Sequence, residues 1–254
     1  MNQAASSQPT ACVLIIGNEI LSGRTQDVNL NYIAKRLAEC GVRLAEARVI
    51  PDQEAAIIDA VNACRAAYDW VFTTGGIGPT HDDITAECIA KAFGVGLEQN
   101  AEARALLERQ YRERNVELNE ARLRMANMPA GALLVDNPVS GAPGFQVGNV
   151  FVLAGVPSIM QAMFESAVEH IPGGVPLSSR TVVAYLPEGT LAGPLKELQG
   201  EYPDIDMGSY PFYRVGRFGS NLVLRAADEG RLEEAVNKLV ACVDRLGGEP
   251  QLEG

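Results

Sequence analysis

Positive charge is scarce in this chain. It carries 21 lysine and arginine residues against 32 aspartate and glutamate residues, which gives a formal net charge of −11 at pH 7. Nucleic-acid backbones and anionic membrane surfaces are repelled by such a balance, so we expect neither as a partner. An anionic small molecule would need backbone amides, a few basic side chains or a bound cation to hold it.

Histidine and paired cysteine are scarce as well. The chain has only two histidines, His81 and His170, and its five cysteines form no C-x-x-C pair. This leaves little material for a histidine-rich zinc site or a Ser-His-Asp triad. Cysteines spread through apolar patterns indicate buried free thiols in a reducing compartment. The N-terminus also lacks a basic region and a long apolar run, so we expect a cytoplasmic protein.

Two common nucleotide-binding fingerprints are missing too. Neither G-x-G-x-x-G nor G-x-x-x-x-G-K occurs, which disfavours a Rossmann dinucleotide site and a P-loop NTPase. A different glycine-rich stretch is present instead, VFTTGGIGPTHDDIT, over residues 71–85. An apolar strand from Trp70 leads into it, and the pattern predicts a helix from about Thr85.

Strands and helices alternate through the first two-thirds of the chain. Continuous apolar runs such as residues 11–16 are typical of strands buried in a parallel sheet. We therefore predict a three-layer α/β/α domain with a mostly parallel sheet over residues 11–172, after a disordered N-terminus at residues 1–10. The segment 172–179 is rich in proline and glycine and indicates a domain boundary. The order strand, helix, strand, strand, helix then predicts a small α+β domain over residues 178–248.

The glycine-rich stretch carries the clearest chemical signal. Thr74, Gly75, Gly76, Gly78 and Pro79 form a turn in which ligands can approach the backbone. Backbone N–H groups at such a turn favour phosphate.

Two carboxylates, Asp82 and Asp83, follow in the same turn and could hold a divalent cation such as Mg²⁺. The simpler alternative is a strand-to-helix turn in which Asp83 only caps the helix. His81 is interpreted as a loop residue rather than a general base.

Two further strand ends carry polar residues. Gly17, Asn18 and Glu19 follow the first strand, and Asp52 follows the second. Ligands of open α/β sheets bind at the carboxyl ends of the strands, so we expect these loops to converge with the glycine turn. Asp27 is predicted to cap a helix.

The motifs together resemble the molybdopterin-binding domain family. The resemblance rests on three features: GNEILSGRTQDVN from Gly17, Asp52 after a strand, and TTGGIGPTHDDIT from Thr73. NPVSGAPGF from Asn137 and LAGVPSIM from Leu153 resemble its CinA-type branch more than its MogA branch. The matching region spans residues 13–160. The second domain resembles the small module that follows this domain in CinA proteins.

The resemblance implies functions and roles. It implies phosphate-facing positions at Gly75, Gly76 and Gly78, and functional acidic positions at Asp52 and Asp83. The CinA branch hydrolyses nucleotide pyrophosphates such as ADP-ribose or FAD, and the MogA branch adenylates molybdopterin. The chain departs from the pattern at Ile77, where MogA has threonine, and at Ile159, where many CinA sequences have glutamate. The deamidase domain of CinA lies outside this sequence, so no amidohydrolase activity is carried over.

Three functions remain open on this basis. The first is a metal-dependent nucleotide pyrophosphatase, with catalytic Asp52 and Asp83 and a metal on Asp82 and Asp83. The second is a pterin- or nucleotide-binding module without turnover. The third is a molybdopterin adenylyltransferase. We also expect a homo-oligomer, with a dimer favoured, because CinA-type relatives associate.

Overall fold

The computed structural model describes residues 8–214 and 216–253. Residue contacts divide the chain into two compact units, with the division between Gly174 and Val175. This point lies inside the proline- and glycine-rich segment, while the finer domain limits, 11–172 and 178–248, stay a prediction. Of the N-terminus predicted to be disordered, residues 1–7 lie outside the described residues. The prediction is wrong at Thr10, which begins the first strand and pairs with Arg43.

The first unit alternates strands and helices as expected. Its elements in chain order are β1 (Thr10–Ile16), α1 (Asn18–Leu21), α2 (Asn29–Glu39), β2 (Arg43–Ile50), α3 (Glu54–Ala67), β3 (Trp70–Thr74), α4 (Thr85–Phe93), β4 (Leu97–Gln99), α5 (Ala101–Glu113), α6 (Glu120–Leu123), a 3₁₀ turn (Arg124–Ala126), β5 (Asn127–Pro129), β6 (Leu133–Val135), β7 (Gly144–Val147), β8 (Val150–Leu153) and α7 (Pro157–Val168). Asp27 accepts the backbone N–H of Leu30 at 3.0 Å and so helps to cap α2.

The main sheet has the strand order β2-β1-β3-β8-β7-β6. The pairs β2/β1, β1/β3 and β3/β8 are parallel, whereas β8/β7 and β7/β6 are antiparallel. The fold prediction is confirmed, because the central strands are parallel and an antiparallel extension lies at one edge. The chain leaves β1 toward β2 on one side and later adds β3 on the other. Such a reversal opens a crevice at the carboxyl ends of the strands.

Helices cover both faces of this sheet. One apolar cluster packs α3, α4 and α5 against the sheet through residues such as Ile57, Ile89 and Leu107. The other packs α2 and α7 through Ile33 and Phe164. Each face of the sheet therefore has its own core, which holds the strand ends in fixed positions.

The second unit is built around antiparallel strands. Its elements are β9 (Ser178–Ala184), α8 (Glu188–Glu201), β10 (Asp206–Arg214), β11 (Arg217–Ala226), α9 (Glu229–Arg245) and β12 (Gln251–Glu253). The sheet order is β10-β11-β9-β12, with every pair antiparallel. Leu191 of α8 and Val236 of α9 share one core with the sheet residue Leu222. The predicted α+β arrangement is confirmed, and β12 is an addition that the sequence did not indicate.

Among the described residues, the helices are too short or too polar to cross a membrane.

Candidate functional site

The loops after β1 and β2 are tied together by hydrogen bonds. The backbone N–H of Gly17 donates to the Ile50 carbonyl at 3.2 Å. The backbone N–H of Asn18 donates to Asp52 Oδ2 at 2.8 Å. Asp52 Oδ1 has no hydrogen-bond partner among the residues that the structure describes. Asp52 thus anchors one loop with one oxygen and leaves the other available.

The turn after β3 lies directly against the end of β1. Gly75 has a φ of +103°, and a Cβ atom there would lie 2.2 Å from the Ile16 carbonyl oxygen. Its N–H donates to the Leu153 carbonyl of β8 at 3.1 Å. Only glycine fits at this point, because both the backbone conformation and the space exclude a side chain.

The free backbone amides of the turn lie one residue later than predicted. Within residues 8–214 and 216–253, the N–H groups of Gly76, Ile77 and Gly78 have no acceptor. The prediction that Gly75 offers its amide to a phosphate is wrong, since β8 already accepts that amide. Three consecutive free amides beside a helix N-terminus are an arrangement that binds anions.

Asp82 and Asp83 converge on one hydroxyl group. Thr80 Oγ1 lies 2.6 Å from Asp82 Oδ1 and 2.5 Å from Asp83 Oδ2, and it can donate its single proton to either. The Thr80 backbone N–H also donates to Asp83 Oδ2 at 2.8 Å. The hydrogen bond from Thr80 lowers the pKa of Asp82 below its usual range, so this carboxylate is ionised at neutral pH. The turn therefore presents two neighbouring carboxylate groups.

The simple capping role of Asp83 is wrong. Helix α4 begins at Thr85, and no side chain accepts a hydrogen bond at its N-cap. Thr85 itself joins the helix to the glycine turn: its N–H donates to the Gly76 carbonyl at 3.0 Å and its Oγ1 to the Gly75 carbonyl at 3.0 Å. Asp83 is thus free of the helix and belongs to the loop.

These loops border a cleft of about 660 Å³, a size typical of small-molecule sites. Five charged residues line the cleft: Glu19, Asp52, Asp82, Asp83 and Arg114. Among the described residues, the lining thus includes four carboxylates and one guanidinium group. Apolar wall is supplied by Ile16, Ile77, Tyr111, Met125, Val156 and Ile159.

Most of the predicted site residues share this cleft, and three lie outside its lining. Those that line it are Glu19, Asp52, Gly75, Gly76, Gly78, Pro79, Asp82 and Asp83. Gly17 and Thr74 are buried behind the strand ends, and the Asn18 side chain is exposed. His81 is exposed on the loop.

A further part of the cleft wall was missed by sequence reasoning. It is formed by Tyr111 and Arg114 from the end of α5 and by the loop around Asn137. Asn137 is 3% exposed, and its side-chain amide donates to the Ala142 carbonyl at 2.7 Å while its oxygen accepts the Ser140 N–H at 3.1 Å. The NPVSGAPGF motif therefore shapes the loop of this wall. The motif could have indicated that this loop matters, but its residues alone did not indicate that the loop lines the cleft.

Two further arginines near these elements, Arg122 and Arg124, do not line the main cleft. Arg122 stacks on the Tyr111 ring, 5.1 Å from its centroid. Arg124 lines a smaller cavity of about 50 Å³ that also borders the glycine turn. Arg114 is instead the basic side chain of the main cleft, and its Nη2 donates to the Val139 carbonyl at 2.7 Å.

The donor set fits a hard divalent cation held jointly with a phosphorylated ligand. Asp82 and Asp83 offer carboxylate oxygens, which Mg²⁺ prefers. Among the residues that the structure describes, no three metal-ligating side chains meet at this cleft. A cation here would therefore take one or two protein carboxylates and complete its shell with phosphate oxygens and water, as Mg²⁺ commonly does.

Comparison with protein families gives two matches. Residues 12–172 match a family described as probable molybdopterin binding domain. Residues 176–246 match the middle domain of FAD synthase. The resemblance inferred from the motifs is confirmed by the first of these matches.

Similar proteins and structures are also found. A protein of Aeropyrum pernix is 35% identical, covering 94% of this chain and 96% of its own length. A protein of Pyrobaculum arsenaticum is 38% identical, covering 93% of this chain and 92% of its own length. The crystal structure of CinA from Thermoplasma acidophilum, described there as of unknown function, is 34% identical, with a TM-score of 0.58. That match covers 63% of this chain and 96% of the CinA chain.

Proposed function

The chain belongs to the molybdopterin-binding domain family, and on that premise we propose that it is a metal-dependent nucleotide pyrophosphatase acting on a diphosphate of the ADP-ribose or FAD type. The observation that carries the proposal is the charge arrangement of the cleft. Four carboxylates and one arginine border a cavity whose lining also includes Gly76, Ile77 and Gly78, the residues with free backbone amides. An anionic diphosphate gains little from such a cleft unless a cation accompanies it.

The glycine turn supplies the anion contact. The N–H groups of Gly76, Ile77 and Gly78 can bind oxygen atoms of one phosphate, and Arg114 can neutralise part of the remaining charge. The apolar wall at Tyr111 and Ile159 is suited to a base or another flat ring. The match of residues 176–246 to the FAD synthase middle domain supports a flavin-containing dinucleotide among the candidates.

The carboxylates have separate tasks in this proposal. Asp82 and Asp83 would hold the divalent cation, which would offset the charge of the diphosphate and activate a water molecule. The available oxygen of Asp52 accepts a proton as water attacks phosphorus, while the bridging P–O bond breaks and AMP leaves. Asn18 holds Asp52 in position by its backbone N–H.

One assay tests the proposal. Purified protein is incubated with ADP-ribose, FAD or NAD in the presence of Mg²⁺, Mn²⁺ or Co²⁺, and AMP is followed by chromatography. We expect AMP release with at least one pair and none after EDTA treatment. Calorimetric binding without AMP release would instead favour the non-catalytic binding module. An absence of both binding and turnover would contradict a nucleotide-directed function altogether.

A further inference from the structure

Two buried thiols meet on the α3 face of the sheet, away from the residues that line the cleft. Cys12 lies in the interior strand β1 and Cys64 in helix α3, and both side chains are 0% exposed. Their sulfur atoms are 3.2 Å apart, within hydrogen-bond distance. The two residues are 52 positions apart in the chain, so the fold alone brings them together.

A polar group adjoins this pair. One carboxylate oxygen of Glu46 lies within 4.8 Å of both sulfur atoms. Arg48 Nε donates to Glu46 Oε1 at 2.6 Å, and the Tyr68 hydroxyl donates to Glu46 Oε2 at 2.6 Å. Glu46 and Arg48 belong to the edge strand β2 and are partly exposed. Glu46 is thus both a neighbour of the buried thiols and a partly exposed residue.

We propose that Cys12 and Cys64 are a reversible oxidation site, at which a small hydroperoxide converts the thiol pair to an intramolecular disulfide. Disulfide sulfurs lie about 2.05 Å apart, so the two sulfur atoms, now 3.2 Å apart, must approach each other by roughly 1 Å. A metal ion is a poorer occupant, because Arg48 and Tyr68 already bond both oxygens of Glu46 and Arg48 repels a cation.

The surroundings favour Cys64 as the attacking sulfur. A hydrogen bond from the Cys12 thiol, helped by the positive charge of Arg48, lowers the pKa of Cys64. The same hydrogen bond, together with burial, raises the pKa of Cys12, which keeps its proton. Thiolates are the reactive form of cysteine toward peroxides.

The oxidation of the thiol pair takes two steps. The Cys64 thiolate attacks hydrogen peroxide; an S–O bond forms, the O–O bond breaks, and the released hydroxide takes a proton to give water. The Cys12 sulfur then attacks the Cys64 sulfur; the S–S bond forms, the S–O bond breaks, and the leaving hydroxide takes the Cys12 proton. The two sulfurs lose two electrons, which the peroxide gains.

Peptide mapping of the wild-type protein is the primary test. After mild hydrogen peroxide treatment and removal of excess peroxide, thiols are titrated in denaturant and the digest is analysed without reduction. We expect titratable thiols to fall from five to three, with one cross-linked peptide joining Cys12 to Cys64. Dithiothreitol should restore all five. The oxidised protein should also unfold at a higher urea concentration, because the cross-link restricts the unfolded chain.

Variants separate this pair from the other thiols. Cys88→Ser is the matched control, because Cys88 is equally buried at 1% exposure but lies outside the pair; it should keep the cross-link. In Cys12→Ser, dimedone should label Cys64, whereas in Cys64→Ser it should leave Cys12 unlabelled.

The proposal is overturned if wild-type Cys12 and Cys64 remain thiols or become separate sulfinic acids under conditions that oxidise the other cysteines. It is also overturned if one equivalent of Zn²⁺ binds the reduced protein, requires both cysteines and blocks their oxidation, since the pair would then be a metal site. The wild-type measurements decide the matter even if a variant fails to fold.

Discussion

Asp83 is the residue whose replacement best separates structure from catalysis. Its Oδ2 accepts the Thr80 N–H, a contact that the amide oxygen of the new side chain in Asp83→Asn can keep, so unfolding stability should fall by less than about 1 kcal/mol. The full negative charge is lost, however. We expect the metal-dependent release of AMP to fall about a hundredfold, which corresponds to nearly 3 kcal/mol of barrier.

Asp59→Asn is the matched control for Asp83→Asn. Asp59 lies on the exposed side of α3, outside the cleft lining, so its replacement should leave turnover and stability unchanged. The check is a side-by-side measurement of AMP release and of melting temperature. Equal turnover in the Asp83 variant and the control would remove Asp83 from the catalytic group.

For Gly75 we expect the opposite outcome to that for Asp83, namely a loss of stability. In Gly75→Ala the new Cβ would lie 2.2 Å from the Ile16 carbonyl oxygen, in a backbone conformation with φ +103°. Because that oxygen is a backbone atom of strand β1, the clash cannot be relieved by a side-chain rotation. We expect a loss of roughly 2–4 kcal/mol in the free energy of unfolding, measured by urea denaturation.

Gly96→Ala is the control for Gly75→Ala. A Cβ at Gly96 meets open space, and its φ lies outside the left-handed region. Its effect on the free energy of unfolding should stay within about 0.5 kcal/mol. If the two variants unfold at similar urea concentrations, the glycine turn can adjust to a side chain at position 75 more easily than its contacts indicate.

At the level of elements, helices α2 and α7 are joined by a charged contact. Glu165 accepts from Arg36 Nε at 2.8 Å, from Arg36 Nη2 at 2.7 Å and from the Tyr32 hydroxyl at 2.6 Å. The Arg36 guanidinium lowers the pKa of Glu165 below its usual range. The contact therefore stabilises the fold above the unfolded-state pKa of about 4.3, and this contribution is lost as the pH falls through the lower folded-state value.

Glu165→Gln tests this contact. Both side chains are partly exposed, so screening limits the expected loss at pH 7 to about 1 kcal/mol. The difference between variant and wild type should shrink as the pH is lowered below about 4. Urea denaturation at pH 7 and at acid pH measures it, with Glu169→Gln, an exposed position near the end of α7, as control. A difference that persists unchanged in acid would assign the effect to packing rather than to charge.

For the whole molecule, the two units differ in what they contribute. Every residue that lines the cleft belongs to the unit that ends at Gly174, and each unit has its own apolar core. We expect a fragment of residues 8–174 to unfold cooperatively and to bind the nucleotide identified in the assay with the affinity of the full chain. Calorimetry and urea denaturation check this, with residues 175–254 as the control fragment that folds but does not bind. A fragment 8–174 that lacks a cooperative transition would show that the unit is not an independent domain.

The oligomeric state also belongs to this scale and stays a prediction. Light scattering should return twice the chain mass of 27.1 kDa if the expected dimer forms.

The sequence by itself determined the four parallel strands of the main sheet, β1, β2, β3 and β8, and the position of the glycine turn, but not the antiparallel strands β6 and β7. Continuous apolar runs and helical spacing are local properties, and they were enough to predict the parallel strands, the helical layers and the change of architecture after Pro172. The same local pattern predicted that the loops after β1, β2 and β3 lie at one edge, because parallel strands carry their carboxyl ends to the same side.

The tertiary structure decided which groups those loops present. The Gly75 amide donates to the Leu153 carbonyl, Asp83 accepts from Thr80 instead of capping α4, and Arg114 lines the cleft. The sequence did not predict the contact between Cys12 and Cys64 either, since each residue alone is only an apolar position in its own element. Partners in such contacts are distant in the chain, so no local periodicity records them. They are fixed only when strands and helices pack.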